Sequence, residues 1–341
     1  QMERRKGPDS AELIPALLRR ADLALTHSDL SDADADLDRA LAIAEDSQGA
    51  TSALAANLRL RRGASCFARG RRHAALAEFR AALAIGRARR GEDPMGHATT
   101  WLAVARVHAE GGESVRAWWA CRSALEAIVK DRGKDHPDTA TVLEATARLH
   151  AGRSLPAKAA PLLKRALQIR EKSGGFDAPE TIATALLFAS TDGASGRLRR
   201  SVRTYRRIER SLSARLGPDH PELGPVALAL ATALQQSGRT AEAVEPYRRA
   251  LAIFTAADGA HALRPSAVAL SLGVLLDRLR RPAEAEPPLR LAVDALHAIH
   301  GGDHPEAALA MSHLATVLRK LRRRDEAREM EGRVRAVRTR R

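Results

Sequence analysis

Three copies of Asp-His-Pro stand at residues 135–137, 219–221 and 303–305, each followed by an acid: Asp138, Glu222 and Glu306. A histidine flanked by carboxylates has the side chains for general acid–base catalysis or for holding a metal ion. A second cluster, His297, His300 and His304 beside Asp303, has a spacing that would suit zinc at a helix end. Cys66 and Cys121 supply two thiols, and Gly133-Lys134 is a Gly-Lys pair of the kind found in phosphate-binding loops. Whether any of these groups does chemistry depends on which elements carry them and whether those elements bring them together.

The Asp-His-Pro copies recur every 84 residues, which is two periods of 42. Sliding the chain by 42 aligns Ala21, Gly63, Ala105, Ala147, Ala189, Ala231, Gly273 and Ala315, so every member of that column is Ala or Gly. A second column is equally small: Ala33, Ala75, Ala117, Ala159, Ser201, Ala243, Ala285 and Ala327. Between them runs a turn column, Ser28, Gly70, Gly112, Ser154, Gly196, Gly238, Arg280 and Arg322. Repetition at this length signals an array of supersecondary units rather than one large core. In the sixth unit Leu223, Val226, Ala227, Leu230, Ala231 and Leu234 form the stripe of an amphipathic helix. Gln235–Gly238 interrupts it, and Ala243, Tyr247, Ala250, Leu251 and Phe254 form a second stripe. Small residues mark where two helices of a pair approach to about 8–10 Å.

Within this frame the Asp-His-Pro segments read as helix starts. The loop column is Asp9, Thr51, Asp93, Asp135, Asp177, Asp219, His261 and Asp303, mostly residues favoured as N-caps. An acid follows three positions later in several units, as in Asp219 and Glu222, which predicts a capping box. Pro in the first turn sacrifices no hydrogen bond. His136, His220 and His304 lie two units apart, about 20 Å if helices pack at about 10 Å, so they do not converge on one site. His297 and His300 read as a polar helix end. Cys66 falls on the column of Leu234 and Cys121 on that of Tyr247, which predicts inert packing thiols. Gly133-Lys134 lacks the upstream glycine of a phosphate loop. No catalytic residue, metal site or cofactor is expected, and the chain reads as non-enzymatic.

Composition agrees with an all-α fold. Hydrophobic residues make up 45% of the 341 but aromatics only 3%, leaving mostly Ala, Leu and Val. Two cysteines in no CxxC pattern argue for a reducing compartment, and a cytoplasmic location is expected. No apolar run is long enough to span a membrane, and QMERRKGPDSAEL lacks the apolar core of a signal peptide. A start at Gln-Met reads as a piece of something longer or a cloning scar.

These columns resemble the tetratricopeptide repeat (TPR) family, specifically its 42-residue kinesin-light-chain-like type. LGPDHPELGPVALALATALQQSGRTAEAVEPYRRALAIF (216–254) looks like that consensus almost throughout, as do RALQI (165–169) and RALAI (249–253). The resemblance covers residues 9–341 as eight units, with 1–8 as a leader or linker. It implies a right-handed superhelical solenoid of helix-turn-helix units whose first helices line a concave groove. It also implies a scaffold that binds a peptide or helix of a protein partner, and a place in a larger regulatory or recruitment protein. Glu331 and Arg335 replace the apolar Leu289 and Val293 of the preceding unit, so the eighth unit is expected to cap the array.

The groove column reads Leu18, Leu60, Leu102, Glu144, Leu186, Leu228, Leu270 and Ser312. One turn later come Asp22, Ala64, Arg106, Arg148, Ser190, Thr232, Val274 and Thr316. The family's peptide-clamping Asn is absent from both columns, and leucines suit an apolar or amphipathic segment better. Leu102, Leu186, Leu228 and Leu270, with the polar group Arg106, Glu144 and Arg148, are therefore the expected partner contacts. Residues 197–215 carry eight Arg against one Glu, and 319–341 carry eleven basic against four acidic residues. Arg199, Arg200, Arg203, Arg206 and Arg207, with Arg322, Arg323 and Arg324, form the expected basic patches. They could receive an acidic protein surface or, as the alternative, nucleic acid. Only Tyr205 offers an aromatic ring in either run, which favours the acidic protein surface.

Overall fold

The computed structural model describes residues 10–26, 30–89, 92–300 and 304–339. Among these residues every regular element is helical. They fall into two compact units, Gln1–Ser173 and Gly174–Arg341. The first contains four hairpins: α1 (Ile14–Thr26) with α2 (Leu30–Gln48), α3 (Ala53–Ala68) with α4 (Arg72–Ala88), α5 (Pro94–Glu110) with α6 (Ser114–Arg132), and α7 (Pro137–Gly152) with α8 (Pro156–Gly174), which ends at the boundary. The second contains α9 (Pro179–Ala194) with α10 (Leu198–Leu216), α11 (Leu223–Gln236) with α12 (Val244–Asp258), α13 (Leu263–Arg278) with α14 (Pro282–His300), and α15 (Pro305–Lys320) with α16 (Arg324–Thr339). The chain is thus an all-α solenoid of about eight helical hairpins.

Both small-residue columns are buried, all sixteen positions, because each lies where the paired helices touch. A Cβ on Gly63 would sit 2.4 Å from the ring of Phe79, and one on Gly273 would sit 2.4 Å from Cγ of Leu289. The stripe from Leu223 to Leu234 is buried as expected, and its partner stripe is buried except for half-buried Leu251. Cys121 is buried and Cys66 partly so. Burial pushes the Cys121 thiol up to about 11 and, with Asp34 nearby, raises that of Cys66, so neither is a ready nucleophile at neutral pH. No helix among the described residues is long and apolar enough to cross a membrane.

The turn column closes each hairpin by one mechanism. Gly238 has φ +78°, its N–H donates to the Gln235 carbonyl, and the next N–H, of Arg239, donates back to Leu234 at 3.0 Å. This is the Schellman arrangement, and it recurs at every described member of the column, from Gly70 to Arg322. Ser154, Arg280 and Arg322 adopt the same left-handed backbone, at φ 56°, 58° and 64°, without being glycine. That conformation costs an L-residue about 1–2 kcal/mol, against about 0.4–1 kcal/mol of added unfolded-state freedom for glycine. Arg280→Gly and Arg322→Gly should therefore each stabilise the second unit by about 0.5–1 kcal/mol, read as a higher urea midpoint at unchanged slope.

A further column escaped the sequence reading. Gly7, Gly49, Gly91, Gly133, Gly175, Gly217, Gly259 and Gly301 are spaced by 42 without exception. The five that are described have φ between +78° and +93°, where the chain leaves one hairpin for the next.

Candidate protein-interaction groove

The Asp-His-Pro segments at 135–137 and 303–305 start helices with the histidine, not the aspartate, as the capping side chain, and at 219–221 the same histidine bond forms in the turn just before α11. Nδ1 of His136 accepts the Asp138 N–H at 3.1 Å, and His220 and His304 accept those of Glu222 and Glu306 at 3.3 Å. Nδ1 sits as many bonds from Cα as a carboxylate oxygen of Asp does, so a neutral imidazole can replace that cap. With Pro at the first helical position, the residue before it becomes the N-cap. Asp93 is the member of the expected column whose carboxylate caps, accepting the Gly96 N–H at 2.8 Å, while at α3 Ser52 caps instead of Thr51. Asp135 instead pairs with Arg165, and Asp177 accepts from the Ser211 hydroxyl. Asp9 and Asp303 lie outside the described residues. His136→Ala should cost about 1 kcal/mol while His136→Asp costs little, measured by denaturant melting.

His300, His304 and Glu306 bring ligand atoms within 4.8 Å of one another, a group that does not include His297. The two imidazoles stack at 4.2 Å, and Nδ1 of His304 is already engaged by the helix cap.

The leucine column borders the core: Leu102, Leu186, Leu228 and Leu270 are all half-buried. In the second unit the successive first helices leave an open concavity of about 680 Å³. Leu228 and Thr232 of α11 face Ser190 of α9 across it, Tyr205 and Phe254 form its floor, and Gln236 and Arg264 stand at its edge. In the first unit a smaller hollow of about 30 Å³ lies between Leu60 and Asn57 of α3 and His97 and Thr100 of α5.

The expected polar cluster of the first unit separates into different roles. Glu144 is buried, and its carboxylate accepts from Nε of Arg170 on α8 at 2.7 Å. Arg106 is exposed, with its guanidinium 4.8 Å from the Phe67 ring and 3.7 Å from Glu110 one turn on. Arg148 is exposed. Glu144 therefore fixes α7 against α8 and does not reach outward with the two arginines.

The basic patches are likewise partly structural. Arg200 grips Asp192, whose side chain is fully buried, through its Nε and Nη2. Arg206 pairs with Glu242 at 2.7 Å, and Arg207 lies 3.6 Å over the Phe176 ring. Arg323 bridges Glu286 and Glu326, and Arg322 is the left-handed turn residue after α15. Arg199, Arg203 and Arg324 are exposed. Asp192 was not singled out from sequence, although its column holds Leu234, Leu276 and Leu318 in the next three units.

The sequence model of the tetratricopeptide repeat family matches residues 180–256 and 264–340. No curated protein matches the chain. Among solved structures, the nearly identical TPR-like repeats of a kinesin light chain candidate from Podosopora anserina are 22% identical, with a TM-score of 0.52, over 60% of this chain and 97% of that one. A signal transduction ATPase with numerous domains (STAND) from Pyrococcus horikoshii, which carries a tetratricopeptide repeat sensor, is 15% identical with a TM-score of 0.60. That match covers 96% of this chain and 48% of the ATPase, so the chain spans about half of that neighbour's length. At these identities the structural matches show the fold, which is like that of kinesin-light-chain repeats, and the sequence match shows tetratricopeptide repeats in the second unit, over residues 180–256 and 264–340.

Proposed function

We propose that the chain is a non-enzymatic scaffold whose second unit receives an apolar or amphipathic peptide segment of a partner protein. The observation that carries this reading is the hollow between α9 and α11, apolar at its floor and flanked by half-buried Leu228. Its size is in the range that encloses one or two large side chains, and hydroxyl and amide groups at its edge can take up backbone hydrogen bonds. A sensor or recruitment role within a larger, cytoplasmic protein fits the STAND neighbour's repeat region. Leu186→Glu with Leu228→Glu should abolish partner capture from the source cell while shifting the melting temperature by only a few degrees, because both residues are half-exposed. A collapse of melting would place these leucines in the core and sink the reading.

The nucleic-acid alternative loses support from the ion pairs that occupy Arg200, Arg206 and Arg323. It requires retention of DNA or RNA at physiological salt with a steep salt dependence; no retention would remove it.

A further inference from the structure

Two of the three tryptophans in the chain, Trp118 and Trp119, stand side by side on α6, and both are exposed, at 46% and 54%. Val115 on the same helix is 69% exposed, and Leu155, in the turn before α8, is 39% exposed. Val115, Trp118 and Leu155 line a concavity of about 360 Å³ whose wall includes Leu149 of α7, and Trp119 stands beside it with its ring centroid 4.9 Å from that of Trp118.

The repeat itself shows that the fold does not require this surface. At the position of Trp119 the other units carry Ala35, Ala77, Pro161, Arg203, Glu245, Pro287 and Glu329. At the position of Val115 stand Ser31, His73, Ala157, Arg199, Ala241, Ala283 and Asp325. Leu155 replaces an arginine found in five units: Arg71, Arg197, Arg239, Arg281 and Arg323. An aliphatic residue there also packs on the helix end it follows, but the arginine units close the same turn without one. Three departures from the repeat pattern converge on one spot, each changing a small or polar side chain for a large apolar one.

The rim is cationic. The Arg122 guanidinium lies 5.7 Å from the Trp118 ring and 5.4 Å from that of Trp119. Arg153 and Lys158 line the same opening, and on α6 Arg116 and Arg122 hold Glu113 and Glu126 at 2.8 and 2.6 Å. Exposed apolar area of this kind marks an interaction site, and aromatic anchors with arginine make the strongest contacts in such sites.

We propose that this face of the first unit is a second docking surface, distinct from the groove, for an acidic protein segment that inserts a bulky apolar side chain between Trp118 and Leu155. Charge complementarity selects this occupant. The rim is positive, and a second copy of a chain of net charge +15 would meet repulsion. An aliphatic hollow suits a Leu or Phe side chain better than a nucleobase, and two further arginines of α6, Arg116 and Arg122, are already matched to carboxylates.

The test uses the full chain and a displayed library of short random peptides. Selection is on the wild type, with counter-selection on the Trp119→Ser/Leu155→Arg variant, whose changes are both surface changes. Binders should carry an excess of Asp and Glu with at least one bulky apolar residue. They should shift tryptophan fluorescence to the blue, lose at least about tenfold in affinity on the variant, and be unaffected by Leu228→Glu. Unchanged melting of the variant confirms that the loss is local. The proposal is overturned if no patch-dependent binder emerges, or if the binders are neutral or basic. It is also overturned if phosphatidylserine vesicles or a single-stranded oligonucleotide give the blue shift that the peptides do not, or if sedimentation shows a dimer that Leu155→Arg dissolves.

Discussion

Asp192→Ala should destabilise the second unit by about 3–5 kcal/mol, the cost of removing one partner of a buried ion pair. The Asp192 side chain is wholly buried at the end of α9, and Nε and Nη2 of Arg200, eight residues on in α10, donate to its two carboxylate oxygens. Arg200 also lies 4.9 Å over the Phe188 ring, so its plane is held while its edge donates. Alanine would leave that guanidinium facing a vacated, mostly apolar space. Asp192→Leu should be far milder, because the next three units place Leu234, Leu276 and Leu318 at this position and bury all three. Arg200 is part-exposed and can turn to water once the apolar residue fills the site. Denaturant melting gives the size of the loss, and hydrogen exchange locates it at α9 and α10, since a repeat array need not unfold in one step. A cost below about 1 kcal/mol for the alanine variant, where a buried pair should give several, would show that the pair is not structural.

The second large effect concerns Phe79, which is 1% exposed against Phe67, Val104 and Ala105 in the first unit's core. Phe79→Ala should cost about 3–5 kcal/mol. Gly63→Ala, on the facing helix, is the sharper test. Helix propensity alone would make it stabilising by about 1 kcal/mol. A methyl there would lie 2.4 and 2.6 Å from two carbons of the Phe79 ring, and a buried ring has nowhere to swing. Overpacking of this kind costs about 1–3 kcal/mol, so the net sign should be destabilising. Other units pair Ala21 with Leu37 and Ala147 with Leu163 at these two positions. Gly63→Ala combined with Phe79→Leu should therefore cost less than the sum of the single changes, by about 0.5–3 kcal/mol. Additive costs would show that the two side chains do not share one space.

The difference between these residues and the repeat columns explains what was legible. A column repeats because every unit meets the same local demand: a small residue where two helices touch, a left-handed residue where the chain turns. Period, helical hairpins, buried stripes and turn column all follow from residue types at fixed spacing, and so would the eight-glycine column once aligned. Asp192 breaks its column, and the sequence shows that departure without showing what compensates it. The compensation depends on where the turn returns α10 against α9. The helix cap was legible as a place but not as an atom. Asp and His both accept a hydrogen bond, and which one does so depends on where the backbone turns relative to Pro.

The sequence by itself therefore determined the fold class and the repeat, because hydrophobic period and turn chemistry are local properties summed over many units. Tertiary structure alone decided which charges are available. Of the eight arginines expected in basic patches, Arg200, Arg206 and Arg323 hold carboxylates and Arg207 lies against a ring. It also decided where the surface is hollow: at Leu228 in one unit and beside Trp118 in the other. A leucine half-covered by its own core and one that lines an open pocket have the same letter and the same register. Only the volume left between neighbouring helices distinguishes them, and that volume is set by side chains from several helices at once.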